Sequence, residues 1–200
     1  MSAAFEEAKQ VFAGHNGILR SSEAQELGVH PQTITRMLEA GILTKEGKGL
    51  YRLTEIPVVR DIDLIHVAKR VPKAVICLIS ALNFHDMTTQ IPRKIYIALP
   101  KETRKPRVKY PPLETVWLSS KPYSSGIQRH VRDGFEIPVY SREKTVADCF
   151  KFRRKIGEDV AIEALEEYMR NRDRNIDELL KCAEIDRVRT VIDPYVKALT

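Results

Sequence analysis

Long apolar runs are missing from this 200-residue chain. The longest, Ala74 to Leu82 (AVICLISAL), contains Cys77 and Ser80 and falls well short of the roughly 18 residues that span a bilayer. The N-terminus, MSAAFEEAKQVF, is acidic and amphipathic, unlike a secretory signal. A cytoplasmic protein with no membrane role is expected. Cysteine is scarce too. Cys77, Cys149 and Cys182 lie far apart, form no CxxC pair and have no zinc-ligand spacing with histidine. Each is expected to be buried and reduced, packing as a small apolar side chain. Catalytic signatures are absent: there is no P-loop, GxGxxG, GxSxG or HExxH. His66, His85 and His130 are scattered. Asp86, Asp148, Glu158, Asp159 and Glu163 are the carboxylates a Mg²⁺-dependent nuclease would draw on, but nothing in their spacing singles them out. No catalytic residue, metal or cofactor is therefore assigned. Internal repeats and low-complexity segments are also lacking.

What is present is a helix-turn-helix pattern in SSEAQELGVHPQTITRMLEAGIL, Ser21 to Leu43. Ser22 is placed to cap the first helix, with Gln25 in the capping-box position. Gly28 suits the tight turn, and His30-Pro31 restarts the chain with Pro31 at the first helical position. Ile34, Met37 and Leu38 recur at helical spacing and should face inward. That leaves Gln32, Thr33, Thr35, Arg36 and Glu39 outward, of a size to reach phosphates and base edges in a major groove. TKEGKGLYRL then reads as a β-wing. Gly47 and Gly49 allow a tight tip, Lys45 and Lys48 sit on it, and Leu50, Tyr51 and Leu53 form the returning strand. A basic tip beside a recognition helix is what phosphate or minor-groove contact needs. Ala3 to Ala13, with Phe5, Ala8, Val11 and Phe12 on one face, supplies the remaining helix of a three-helix core. The candidate DNA-contacting residues are Ser22, Gln32, Thr33, Thr35, Arg36, Lys45 and Lys48.

The formal charge of +6 favours a polyanionic partner. Its distribution is uneven. In residues 1–56, Lys9, Arg20, Arg36, Lys45, Lys48 and Arg52 are offset by Glu6, Glu7, Glu23, Glu26, Glu39, Glu46 and Glu55. The excess lies further on. Pro57 breaks the pattern after the wing, so the domains are expected at 1–56 and 57–200.

The second domain reads as α/β, with a small, mostly antiparallel sheet and a helical C-terminus. Asp61 to Lys69 is expected to be a short helix, and PKAVICLISALNFH a second one opened by Pro72. RKIYIALP and TVWLSS read as strands, with KETRKPRVKYPP a basic loop between them. QRHVRDGFEIPVYS reads as a hairpin around Asp133-Gly134. Helices follow from Ser141, from Gly157, from an Asn175–Glu178 capping box, and through RVRTVIDPYVKAL with an interruption at Pro194. Val160, Ala161, Ala164, Leu165, Tyr168 and Met169 form the apolar face of one of them.

Two basic clusters mark a candidate surface for a polyanion or partner. The first is Arg93, Lys94, Lys101, Arg104, Lys105, Arg107 and Lys109, with Tyr96 and Tyr110 interleaved for stacking. The second contains Arg142, Lys144, Lys151, Arg153, Arg154 and Lys155. There Asp148 is expected to form a surface salt bridge at i±3 or i±4 spacing with Lys144 and Lys151. Ser80, Asn83, His85, Thr88, Thr89 and Gln90 are expected to serve mainly in helix ends and turns.

GILRSSEAQELGVHPQTITRMLEAGILTKEGKGLYRL, ALNFHDMTTQIPRKIYIALP, PVYSREKTVADCFKFRRKIG and RVRTVIDPYVKAL, in that order from Gly17 to Leu199, resemble the AbiEi-type antitoxins of type IV toxin–antitoxin (abortive infection) systems. The resemblance implies an N-terminal winged helix that binds inverted repeats in double-stranded DNA of its own promoter and represses it. It implies a C-terminal domain that opposes a nucleotidyltransferase-like toxin without a stable complex. A monomer or weak dimer is expected. Two other readings of the same residues stay open: a winged helix that docks a partner protein, and a nuclease-like enzyme with a DNA-targeting domain.

Overall fold

The computed structural model describes residues 3–15, 17–47, 49–55, 61–108, 110–132 and 134–199. Lys48, Lys109, Asp133 and the boundary expected at residues 56–60 lie outside the described residues. The chain divides into two compact units, residues 1–60 and 61–200.

The first unit contains helix α1 (Ala3–Ala13), strand β1 (Ile18–Arg20), helices α2 (Ser21–Glu26) and α3 (Pro31–Glu39), and strands β2 (Leu43–Gly47) and β3 (Leu50–Leu53). Ala8 and Phe12 recur one helical turn apart on α1 and meet Ala24, Ile34 and Met37 in one buried cluster. Leu19, Leu43 and Leu53 close that cluster from a three-stranded antiparallel sheet ordered β1-β3-β2. Strand β1 is not signalled by the sequence, because three residues are too few to show a period. Ser22 does not cap α2. The cap position is Arg20, whose backbone N–H donates to the Glu23 carboxylate at 2.9 Å. The reciprocal acid is thus Glu23 rather than Gln25, and Ser22 sits inside the first turn. Gly28 takes φ +90°, open to glycine at little cost, and Gly49 takes φ +71° at the wing.

The second unit begins with α4 (Ile62–Arg70), followed by β4 (Val75–Ile76), α5 (Leu78–Phe84), β5 (Ile95–Pro100), β6 (Leu113–Leu118), the short α6 (Ser120–Ser124), β7 (Ile127–Arg132) and β8 (Phe135–Tyr140). Helices α7 (Arg142–Lys151), α8 (Arg153–Ile156), α9 (Glu158–Arg170), α10 (Ile176–Ile185) and α11 (Arg189–Ala198) complete it. The strands form one sheet, ordered β6-β5-β4-β8-β7. Pairs β4–β5 and β7–β8 are antiparallel, whereas β5–β6 and β4–β8 are parallel. The sheet is therefore mixed rather than mostly antiparallel.

The cause lies in AVICLISAL, expected to be one helix. Val75 and Ile76 instead form the central strand, and only Leu78 onward is helical. A short, fully buried apolar run fits either state, and pairing on both sides decided for strand. Cys77 is correspondingly the extended residue before α5 rather than a helical one.

Strand alternation gives the sheet two buried faces. Val75, Ala98, Val116, Leu118 and Tyr140 join the cluster made with α5, α7, α9, α10 and α11. Ile76, Ile97, Leu99, Ile137 and Val139 are buried on the other face, where α4 packs against β8. The apolar face expected on α9 is buried in full, from Val160 to Met169. Ser141 caps α7, its hydroxyl accepting from the Lys144 N–H at 3.2 Å. Asn175 caps α10, accepting from the Glu178 N–H at 3.0 Å. The other half of that box is supplied by the Tyr168 hydroxyl, which accepts from the Asn175 N–H at 2.7 Å. All three cysteines are buried and free.

Candidate nucleic-acid interface

Helix α3 starts where Pro31 needs no hydrogen-bond acceptor and His30 acts as cap, its Nδ1 accepting from the Gln32 N–H at 3.3 Å. Ile34 and Met37 are buried and Leu38 is half-buried, which orients the helix. Gln32, Thr35, Arg36 and Glu39 are exposed on the far side. Thr35 turns its hydroxyl back to the Pro31 carbonyl at 3.2 Å. Thr33 does not share their face. It is half-buried and lines a groove with Ala4, Val11 and Leu27. At 100° per residue, Thr33 lies about 100° from Gln32 and swings toward α1. Arg36 stands at the edge of the outward face, its guanidinium carbon 5.6 Å from the Phe5 ring centroid. That cation–π contact restricts an otherwise floppy side chain.

Among the described wing residues, one of the two cations is used internally. Arg52 is buried, and its Nε donates to Glu46 at 2.5 Å while Nη1 donates to the Leu53 carbonyl at 3.1 Å. Lys45 remains exposed on β2 opposite Tyr51. Ser22 is exposed on α2. The arrangement can do one kind of chemistry: present amide, hydroxyl and guanidinium donors on a rigid helix beside a β-ribbon carrying a cation.

In the second unit the two basic clusters behave differently from the sequence pattern. Glu114 on β6 joins them, bonded by Lys155 at 2.6 Å and by Lys94 at 3.4 Å. The hydrogen bond from Lys155 keeps the Glu114 carboxyl below its usual range, assisted by Lys94. Arg93, Lys101, Arg104, Lys105 and Arg107 are exposed. The interleaved tyrosines are not free for stacking: Tyr96 packs on the core, and the Tyr110 hydroxyl donates to Asp63 at 3.4 Å. Trp117, not singled out from sequence, is 40% exposed, with its indole N–H donating to the Thr103 carbonyl at 2.8 Å.

The expected surface salt bridge at Asp148 is instead a buried network. Lys144 and Asp148 are fully enclosed, and the Lys144 ammonium donates to Asp148 and, at 2.8 Å, to Asp186. Lys151, half-buried, donates to the other Asp186 oxygen at 3.1 Å. Helix α7 is thereby tied to the end of α10. Burial pushes the Asp148 carboxyl up to about 7, with Lys144 opposing and Asp186 adding to the rise. For Lys144, burial pulls downward but the two carboxylates outweigh it and the ammonium is held above its usual value. Helical spacing shows the Lys144–Asp148 pair. It cannot show Asp186, which lies on another helix, or the burial that it demands. Arg153 is turned inward to the Phe150 carbonyl at 2.7 Å, and Arg154 is exposed.

The scattered histidines are partly gathered: the His85 and His130 rings lie 5.9 Å apart and each meets the Phe84 ring edge-on, so the three form one cluster. His85 Nε2 donates to the Tyr140 carbonyl at 2.7 Å. The polar run after α5 is used locally. Ser80 accepts from the Tyr96 N–H, Asn83 donates to the Gln90 carbonyl, and Thr88 accepts from the Gln90 N–H. Among the described residues, no three histidine, cysteine or acidic side chains converge as a metal site would require, and no helix is long and apolar enough to cross a membrane.

Residues 6–54 match a protein family described as transcriptional regulator, AbiEi antitoxin. The match spans α1 through β3, the unit that carries the exposed face of α3. No curated protein matches the chain. A solved structure, the RV2827C protein from Mycobacterium tuberculosis, is similar at 14% identity and a TM-score of 0.48, over 97% of this chain and 80% of that one.

Proposed function

We propose that the chain is a DNA-binding transcriptional autorepressor that doubles as the antitoxin of a type IV toxin–antitoxin pair. Its first unit binds inverted repeats in its own promoter, and its second unit counteracts a nucleotidyltransferase-like toxin. The observation that carries the first half is the outward face of α3. Gln32, Thr35 and Arg36 are exposed and polar beside a β-ribbon bearing Lys45, while Ile34 and Met37 are buried behind them. The family match over residues 6–54 supports the regulator and antitoxin role as a whole. Arg36 and Gln32 have the donors that read guanine and adenine edges, and Lys45 and Ser22 have the chemistry of phosphate contacts. Thr33 drops out of the reading surface because it faces α1.

The test is a gel shift of the full chain on DNA upstream of its own gene, across a salt series and against unrelated DNA. Selective binding with a steep salt slope is expected. Arg36→Ala should cost about 1–3 kcal/mol and relax selectivity. Lys45→Ala should weaken both DNAs alike and flatten the slope by about one phosphate contact. Equal, weak binding to both DNAs, unchanged by either substitution, would overturn the reading. One observation favours protein docking by this unit instead: Leu27 is 44% exposed in a groove of mixed lining between α1 and the turn, beside Val11 and Glu7. Leu27→Glu distinguishes the two, since a promoter complex tolerates it and a docked protein does not.

A further inference from the structure

The parallel connection from β5 to β6 is unusually basic and returns along the sheet's edge strand. It leaves the end of β5 with the Lys101 N–H bonded to the Leu118 carbonyl, and it comes back beside the start of β5, where the Ile95 N–H reaches the Pro112 carbonyl. It therefore runs the whole length of β6, about 20 Å for six residues at the usual rise. Arg93, Lys94, Lys101, Arg104, Lys105 and Arg107 are exposed along this path. Lys155 arrives from α8 on the other side of the same strand, and its ammonium lies 3.5 Å from the Thr115 carbonyl. Two acids lie on this path: Glu102, exposed in the loop, and Glu114, already shared by Lys94 and Lys155. Trp117 stands on the opposite face of β6 from Glu114, on the side of the loop and its cations, with its indole N–H donating to the Thr103 carbonyl.

Lysine beside an edge strand has a plain use, since it deters pairing with another chain. That use accounts for Lys155. It does not account for a large exposed aromatic on the same strand, which would itself invite association. We infer that the β6 edge of the second unit is a binding site for single-stranded nucleic acid, with the cations following the phosphates and an unpaired base stacking on Trp117. A cationic track with a fixed aromatic platform is the usual chemistry of such sites, and a base inside a duplex offers no face to stack. This site lies wholly within residues 93–155 and does not depend on promoter recognition by α3.

The chain has one tryptophan, so its emission reports this position alone. The full-length protein is titrated with oligouridylate and oligodeoxyuridylate of about 12 nucleotides and with a duplex of the same length. Quenching by a single strand and none by the duplex is expected, with an affinity that falls as salt rises. Whichever oligomer binds more tightly names the sugar. Replacing Arg104, Lys105 and Arg107 together by alanine, all exposed and so harmless to folding, should weaken binding about tenfold or more and flatten the salt dependence. With a dye-labelled oligomer, Trp117→Ala should lose about tenfold, and Trp117→Phe, which keeps a ring, should recover most of it. Arg36→Ala leaves the quench in place, which separates this site from the promoter surface. Absence of quenching, equal quenching by the duplex, or an unaltered quench in the triple variant overturns the inference.

Discussion

The two units treat charge in opposite ways. The smaller keeps an apolar interior, from Ala8 and Phe12 to Ile34 and Met37, and among its described residues buries arginine in the small sheet, at Arg20 and Arg52. Gln32, Thr35, Arg36 and Glu39 stand outward on α3. The larger encloses an ammonium and two carboxylates, Lys144, Asp148 and Asp186, between α7 and the end of α10. A buried ion group stabilises little against a well-packed apolar alternative, yet removing one member leaves an uncompensated charge. The outward polar residues of α3 are thus free to be changed by selection for a ligand. Those in the second are locked to one another and fix how two helices meet.

The sharpest way to break this contrast is Lys144→Met. It leaves Asp148 facing Asp186 with no cation of its own, Lys151 still bonding the far Asp186 oxygen, and the expected loss is about 3–5 kcal/mol of stability. Denaturant unfolding of the full chain reads it. Adding Asp148→Asn and Asp186→Asn should restore much of the loss, because no buried charge then remains. A midpoint unchanged by Lys144→Met alone would show that the network is not a constraint. No exposed residue of α3 should approach this effect on stability.

A smaller effect tests the same network through pH. The Asp148 carboxyl is raised to about 7 in the folded chain, first by burial and then by Asp186, against an ordinary value of 3.8. A raised acid binds its proton more tightly when folded. Its contribution to stability is therefore complete below about pH 4 and is lost as pH climbs through 7. Asp148→Asn, which cannot ionise, should remove this part of the pH dependence between 4 and 7. Melting temperatures of the two proteins across that range give the comparison. Parallel curves would mean that Asp148 ionises as freely in the folded chain as in the unfolded one.

The contrast also explains which parts were legible in the sequence. Helix α1, the apolar face of α9 and the caps at Ser141 and Asn175 are local patterns, and local patterns survive folding when packing agrees with them. The β7–β8 hairpin was legible for the same reason. Strand β4 was not, because Val75 and Ile76 become a strand only through partners at β5 and β8, far away in the chain. Asp186 was hidden by the same distance, and so the spacing of Lys144 and Asp148 suggested a surface pair. In the candidate interface, helical periodicity placed Gln32, Thr35 and Arg36 outward. Thr33 was misjudged because a polar residue on the flank of an amphipathic helix looks outward until the neighbouring helix is known. Trp117 needed the fold of the basic loop before it stood out.

The smallest expected effects separate a capping role from a contact role at the first unit's surface. Sequence spacing puts Ser22 at the cap of α2, whereas the structure gives that place to Arg20 and the reciprocal bond to Glu23. His30 caps α3 through Nδ1. His30→Ala should therefore lower stability by about 0.5–1 kcal/mol, in the range of lost caps. Ser22→Ala should change it by less than about 0.5 kcal/mol, as an exposed position without such a bond does. Thermal unfolding measures both. Ser22→Ala can then be tested in the gel shift without a folding defect to confuse the result. A uniform weakening on all DNAs assigns its hydroxyl to a phosphate. A stability loss as large as that of His30→Ala would instead return Ser22 to the helix end and remove it from the DNA-facing surface.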